Sequence, residues 1–290
     1  MTVITKVGVV GLGLMGSGIA EACARAELTV TAVEYDDQAV AAGLARVRAS
    51  LARAVAKGKL DHDEAPAVMQ RITATTDYTR LADVDLVIEA ATENEDAKLA
   101  IFRRLDETVH ESAILVSNTS SIPIARIAAA TRRPDRVMGM HFFNPAPVQR
   151  LVELIPALTT SPETIASIDQ FTWGRLGKSV IYAQDRAGFI VNALLVPYLL
   201  SAIRMLDGGH ASREDIDAGM VQGCGHPMGP LTLVDLIGLD TVKAMADVLF
   251  GEYGDSQFAS PPLLARMLES GQVGRKSGRG FYDYPDVSQV

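Results

Sequence analysis

Two residues are typed and placed for proton chemistry. His141 closes the apolar run Met138-Gly139-Met140-His141-Phe142-Phe143-Asn144-Pro145, and Glu153 sits inside the next one, Leu151-Val152-Glu153-Leu154-Ile155. Imidazole is the side chain whose unperturbed pKa lies near neutrality, so a strand-end His beside a partly buried carboxylate reads as an oriented general base. The blander alternative for Glu153 is a salt bridge to Arg150. Such a base needs something to oxidise or reduce, and the N-terminal segment points to a cofactor.

Val7-Gly8-Val9-Val10 is a short apolar strand, and it runs through Gly11-Leu12-Gly13-Leu14-Met15-Gly16 into the helical pattern Ser17 to Ala26. This is a dinucleotide fingerprint in the right context. Gly11 permits the tight turn, Gly13 lets backbone approach a pyrophosphate, and Gly16 lets the helix pack on its strand; Leu14 and Met15 place their amides at the helix start. The acid expected about 20 residues further on is Glu34, which ends the second strand, Leu28 to Val33. Its carboxylate suits ribose hydroxyls and repels a 2′-phosphate. Tyr35-Asp36-Asp37 offers no Arg to receive one, so NAD is favoured over NADP.

Composition narrows the class. With 290 residues and 48% apolar content the chain can bury a large core in one or two domains. A formal charge of −8 argues against nucleic acid and anionic membrane surfaces as partners. No run reaches the roughly 20 apolar residues of a membrane span. Met1 to Lys6 leads straight into a strand, so no secretory leader is expected, and the two cysteines, Cys23 and Cys224, suit a reducing cytoplasm. Neither has metal-ligand spacing, and no metal is expected.

The elements that must position these residues alternate strand and helix, as a parallel sheet with crossover helices does. Further strands are predicted at Ile72 to Thr76, Leu86 to Ala90, Ile114 to Ser117 and Val137 to Phe142, with helices over Gln38 to Lys57 and Glu95 to Val109. A second sheet portion follows, Gln149 to Ile155 and Ser179 to Ala183, separated by a helix starting at Ser161-Pro162-Glu163. After Asp185-Arg186-Ala187-Gly188 the character changes. Phe189 to Leu206 is helical and apolar on most faces, which requires cover, and a partner subunit is the expected one. The expected organisation is an α/β, Rossmann-type NAD-binding domain over 1–185 and an all-helical substrate and dimerisation domain over 186–290, in a homodimer.

Four motifs together, Gly139-Met140-His141-Phe142-Phe143-Asn144-Pro145-Ala146-Pro147, Ser117-Asn118-Thr119-Ser120-Ser121, His226-Pro227-Met228-Gly229-Pro230-Leu231 and Gly278-Arg279-Gly280-Phe281-Tyr282, resemble the 3-hydroxyacyl-CoA dehydrogenase family along essentially the whole chain. The likeness is strongest to its short bacterial members acting on 3-hydroxybutyryl-CoA. That resemblance implies roles residue by residue. His141 matches the catalytic base and Glu153 the acid that orients it. Ser120 and Asn192 match the contacts to the substrate oxygen. Glu93 and Lys98 match positions near the cofactor and the closing cleft, Asn144 and Lys276 further cofactor contacts, and Ser50 and Lys57 the coenzyme A contacts.

The implied chemistry is coherent. Oxidising a secondary alcohol moves hydride to the nicotinamide while the hydroxyl proton leaves to a base, and Ser120 and Asn192 fix which face of the carbon reacts. The coenzyme A phosphates would need local cations, for which Lys57, Lys59 and Arg53 are candidates. Ser120 also lies where it could cap a helix from Ile122 onward. Three alternatives stay open. The hydroxyacyl group could ride on an acyl carrier protein, or the protein could be a silent NAD binder. The third is a β-hydroxyacid dehydrogenase like 6-phosphogluconate dehydrogenase, which uses a lysine four residues before an Asn; here Gly188 stands four before Asn192.

Overall fold

The structure, a computed structural model, describes residues 3–284; positions 1–2 and 285–290, the latter within the expected second domain, lie outside the described residues. The chain divides into two compact units, Met1–Arg186 and Ala187–Val290.

In the first unit the order is β1 (Lys6–Val10), α1 (Leu14–Arg25), β2 (Thr29–Val33), α2 (Asp37–Ala56), α3 (Glu64–Gln70), β3 (Ile72–Thr75), β4 (Leu86–Glu89), α4 (Glu95–Thr108), β5 (Ile114–Ser117), α5 (Ile124–Ala129), β6 (Val137–Phe142), β7 (Leu151–Pro156), α6 (Pro162–Gln170) and β8 (Ser179–Tyr182). All eight strands join one sheet in the order β3-β2-β1-β4-β5-β6-β7-β8. What the sequence suggests as a second sheet portion is therefore its continuation. β1 to β6 pair in parallel, β7 runs antiparallel to β6, and β8 is parallel to β7. Each of β1 to β6 delivers its carboxyl end to the same edge, and the order reverses between β1 and β4, where such sheets open a ligand crevice.

Burial explains the runs. β4, β5 and β6 are covered on both faces, so they are written as continuous apolar segments rather than alternating ones. On α1, Ile19, Ala20, Cys23 and Ala24 form one fully buried stripe in the core. Three of the six α-helices described in this unit are capped as their sequences announce. Asp36 accepts from the Ala39 amide at 2.7 Å, Asn94 from Ala97 at 3.0 Å and Ser161 from Thr164 at 3.2 Å, each contributing about 1 kcal/mol.

The helix after the serine turn departs from expectation. It begins at Ile124, and Ser120 does not cap it. The carboxylate of Asp185 accepts the Ile124 and Ala125 amides at 2.7 and 2.8 Å. An acid about 60 residues away in the chain is invisible to a local capping rule.

The second unit is helical: α7 (Val191–Asp207), α8 (Arg213–Ala218), α9 (Pro230–Ile237), α10 (Leu239–Tyr253) and α11 (Pro262–Glu269). Gly188 leads into α7 with φ +77°, and a Cβ there would lie 2.7 Å from Leu249 Cδ2, so the turn is closed to other residues. Val196, Leu199, Ile203, Leu231 and Val234 are fully buried together. Two buried acids organise the rest. Asp217 accepts the Leu231 and Thr232 amides at the start of α9. Asp235 accepts the Phe281 and Tyr282 amides and the Tyr284 hydroxyl, each within 3.0 Å, which latches the Gly278-Arg279-Gly280-Phe281-Tyr282 segment onto α9.

One buried acid has no such set of amides. Glu21 on α1 is 1% exposed, and burial pushes its carboxyl above the usual range, offset only in part by Ser50, Arg25 and Arg53. A folded pKa above the unfolded one means that the native state holds the extra proton, so stability falls as pH rises through that window. Glu21→Gln is therefore expected to raise Tm at neutral pH, by about 2–4 °C for each kcal/mol recovered. Thermal melts should converge once the pH drops below about 4.3, the unfolded carboxylate value. An unchanged or lower Tm at neutral pH would mean that the arginines outweigh burial.

Candidate active site

The antiparallel register of β6 on β7 sets His141 directly opposite Glu153. His141 is 7% exposed and Glu153 fully buried, with 2.7 Å between His141 Nδ1 and Glu153 Oε2. An ionised carboxylate only accepts, so Nδ1 carries the proton and Nε2 keeps the lone pair that a base needs. Glu153 thus pairs with His141, not with Arg150, which is exposed. The Phe143 ring meets the imidazole edge-on, 4.8 Å between centroids.

Two groups that sequence reasoning passed over hold this end of β6. Asn118 Oδ1 accepts the Phe142 amide at 2.8 Å, and the Asn118 amide donates to Glu89 O at 2.8 Å, so one residue ties the ends of β4, β5 and β6. Lys178, 7% exposed, donates to the carbonyls of Ala146 and Gln149 at 2.7 Å each and pins the loop that follows His141. Burial lowers its pKa. Asn144 lies exposed in that loop. An Asn directly after a strand was the available signal for Asn118; nothing local marks Lys178.

Ser120 is half-buried in the turn after β5. Its amide and hydroxyl both donate to Glu93 Oε1, at 2.8 and 3.1 Å. Lys98 faces inward at 1% exposure; its ammonium is paired with the buried Glu89 carboxylate and lies 4.0 Å from Glu93 Oε2. Ser117 Oγ also donates to Glu89, at 2.8 Å. Breaking such a buried pair by removing one partner costs about 3–5 kcal/mol.

The glycine loop has the shape that a dinucleotide requires. A Cβ on Gly11 would lie 2.5 Å from Ala91 Cα and one on Gly16 1.8 Å from Gly11 O, whereas Gly13 faces open space. Gly13 is also the N-cap of α1, with no side-chain cap and no acid in the first turn, so the positive helix end, with Leu14 and Met15 in its first turn, is left for an anion. Beside it lies a cleft of about 670 Å³ lined by Gly11, Gly13, Glu34, Tyr35, Arg46 and Arg104, among others. Glu34 accepts the Leu12 amide through Oε1 and the Tyr35 amide, 3.1 Å away, through Oε2. Both bonds orient it while leaving acceptor lone pairs. Arg46, absent from the sequence reading, donates to Leu12 O at 3.2 Å.

Ser50 is half-buried on α2 and Lys57 is exposed at its carboxyl end. With Arg53 they recur at helical spacing along one face. Asn192 and Lys276 belong to the second unit. Asn192 is half-buried in the first turn of α7, and Lys276 donates to both oxygens of Asp240 at 2.6 Å.

A doubly wound sheet whose glycine loop leaves a helix end free, with an acid at the second strand and a buried His–carboxylate pair on the same edge, is the plan of an NAD-dependent dehydrogenase. The chain matches the 3-hydroxyacyl-CoA dehydrogenase NAD-binding domain over residues 6–186 and the C-terminal domain of the same enzymes over residues 188–284. It is 53% identical over 282 residues to a Mycobacterium tuberculosis 3-hydroxybutyryl-CoA dehydrogenase, covering 97% of this chain and 99% of that one. A Bacillus subtilis protein named probable 3-hydroxybutyryl-CoA dehydrogenase is 44% identical, with 98% of each chain covered. The crystal structure of (S)-3-hydroxybutyryl-CoA dehydrogenase PaaH1 from Ralstonia eutropha superposes with a TM-score of 0.92 at 46% identity, over 98% of this chain and 100% of that one. The chain belongs to the 3-hydroxyacyl-CoA dehydrogenase family.

Replacing His141 by Gln should leave NADH binding near wild type and lower turnover by about 10²- to 10⁴-fold. Glu153→Gln keeps the shape but not the charge, and should lose turnover in the same direction, the imidazolium having lost its counter-charge. Steady-state kinetics with fluorescence titration of NADH separates the two effects. Full turnover in the His141 variant would remove that residue from its role.

Proposed function

We propose that this protein interconverts short-chain (S)-3-hydroxyacyl-CoA, such as 3-hydroxybutyryl-CoA, and the 3-oxoacyl-CoA with NAD. The observation that carries this reading is the buried His141–Glu153 pair in a sheet that also holds the crevice lined by Gly11, Gly13 and Glu34, in a chain whose relatives bear the corresponding names. NAD, when bound, exchanges the hydride with carbon 3 of the substrate. Gly11, Gly13, Leu14, Met15, Gly16 and Glu34 hold it, with Glu93, Lys98, Asn144 and Lys276 as further contacts.

His141 Nε2 removes the hydroxyl proton as the alcohol is oxidised and returns it in the reverse direction. Glu153 stabilises the imidazolium in both directions, and because it is buried its charge is little screened by solvent. Ser120 bonds the same oxygen and fixes its position relative to the base, and Asn192 is the second donor that the family's motif supplies for it. Ser50, Arg53 and Lys57 supply the α2 face to which coenzyme A phosphates are drawn.

The reading extends to a cytoplasmic homodimer that docks through the helical unit. Leu194 on α7 is 71% exposed, Leu236 on α9 48% and Phe250 on α10 44%, large apolar side chains that docking through this unit would cover. Both cysteines are free. No helix among the described residues is long and apolar enough to cross a membrane.

NADH oxidation with acetoacetyl-CoA at micromolar concentration tests the reaction, with NADPH and the same acyl group on an acyl carrier protein as the comparison arms. Fast NADH consumption with the CoA ester is expected. Activity confined to the carrier-protein thioester would move the enzyme to biosynthesis, and none with either would leave a silent NAD binder. Sedimentation equilibrium is expected to give twice the 31.0 kDa chain mass, and Leu194→Glu should shift that equilibrium toward monomer; a monomeric wild type would end the dimer reading.

A further inference from the structure

The turn between β5 and α5 hangs on one carboxylate oxygen. Glu93 Oε1 accepts from the Thr119 hydroxyl at 2.7 Å, the Ser120 amide at 2.8 Å, the Ser120 hydroxyl at 3.1 Å and the Ser121 hydroxyl at 3.0 Å. Thr119 Oγ1 in turn accepts the amides of Ser121 and Ile122, at 3.2 and 3.0 Å. The other Glu93 oxygen stands 4.0 Å from Lys98, whose ammonium is buried against Glu89. A polar seam therefore runs from the end of β4 to the end of β5, and Ser120 is half-buried within it.

We propose that Glu93 is a positioning residue for Ser120 and acts on catalysis through that hydroxyl, beyond any contact it makes with the cofactor, a role that rests on Ser120 bonding the substrate oxygen. The chemistry of the bonds argues for it. A carboxylate only accepts, so both protons that Ser120 owns, on its amide and its hydroxyl, are directed at Glu93. The amide is thereby withheld from the substrate, and the hydroxyl is the contact that Ser120 offers. Rotation about the Cβ–Oγ bond is enough to swing its proton from Glu93 to a substrate oxygen as negative charge develops there, while Oγ stays in place. A donor held ready in this way loses little freedom at the moment of reaction, which is where preorganised hydrogen bonds gain their effect. Glu93 itself has 45% of its side chain exposed, so its truncation opens no buried cavity; what it removes is the set of bonds that holds the turn.

A double-mutant cycle separates positioning from cofactor contact. Wild-type turnover with acetoacetyl-CoA and NADH is established first, and its absence would defeat the proposed reaction independently. Glu93→Ala should lower kcat by about 10- to 100-fold, a loss larger than any rise it causes in the NADH dissociation constant, read by fluorescence titration. In a Ser120→Ala background the same change should cost less than about twofold more, since the hydroxyl through which it acts is gone. Glu93→Gln, whose amide oxygen still accepts, should recover part of the loss. The proposal is overturned if the two losses multiply, or if the Glu93 variants lose NADH affinity with kcat intact. An inert Ser120→Ala would overturn it as well, while leaving the reaction itself standing.

Discussion

The register between β6 and β7 is the constraint on which the site depends. Side chains in a strand alternate faces, so a slip of one residue would carry Glu153 to the other side of the sheet from His141. Three features resist that slip. Gly139 faces Ile155 where a Cβ would stand 2.9 Å from both Ile155 Cβ and Ile124 Cδ1, so the pair fits only in this alignment. Asn118 fixes the end of β6 from the neighbouring strand, and Lys178 holds two carbonyls of the connecting loop. The reversal at β7 matters for the same reason. A parallel neighbour would bring its carboxyl end to this edge; the antiparallel one brings residues from its own first half, and among them is Glu153.

Acidic side chains do much of the remaining assembly by collecting donors rather than by pairing with cations. Glu93 gathers the serine turn, Asp185 the start of α5, Asp217 the start of α9, and Asp235 the tail of the second unit. A carboxylate that accepts several amides is held strongly and holds in return, because charge-assisted bonds are shorter and stronger than neutral ones. The net charge of −8 thus does not measure repulsion alone. Part of it is invested in joining segments far apart in sequence.

What could be read from the sequence follows the range of each interaction. Strand and helix order, the glycine loop and Glu34 are local patterns, and they were legible because period and spacing are properties of short windows. His141 and Glu153 were legible as types at the ends of apolar runs; their opposition across an antiparallel pair was not, since pairing direction is decided by the sheet. Ser120 reads locally as a helix cap as well, because a Ser in a turn is the usual cap, while the actual one, Asp185, arrives from beyond three further strands. Glu93, Asn118, Arg46 and Lys178 lie in the same class, polar residues whose partners are brought by the fold. Lys98 is the sharper case. A lysine one turn into a helix looks solvated, yet its ammonium is buried, and only Glu89 at the end of a fully covered strand makes that tolerable.

The cofactor crevice shows how these two kinds of information combine. α1 starts at Gly13 with no side-chain cap, and its first turn holds no acid. Gly13 at that point is half-buried and offers the helix no partner of its own. Such a start becomes reasonable when the helix end must meet an anion, and the surrounding charges agree. Glu34 is already bonded to Leu12 and Tyr35, so it cannot swing away from a ligand. Arg46 is bonded to Leu12 O, so its guanidinium lines the cleft without reaching past the loop to neutralise that acid through any bond the structure forms. A fixed negative charge at the end of β2 and positive features nearer the glycine loop are opposite ends of one electrostatic pattern. Phosphate is welcome at the loop and unwelcome at the strand end, which is the discrimination that selects NAD over its 2′-phosphorylated relative.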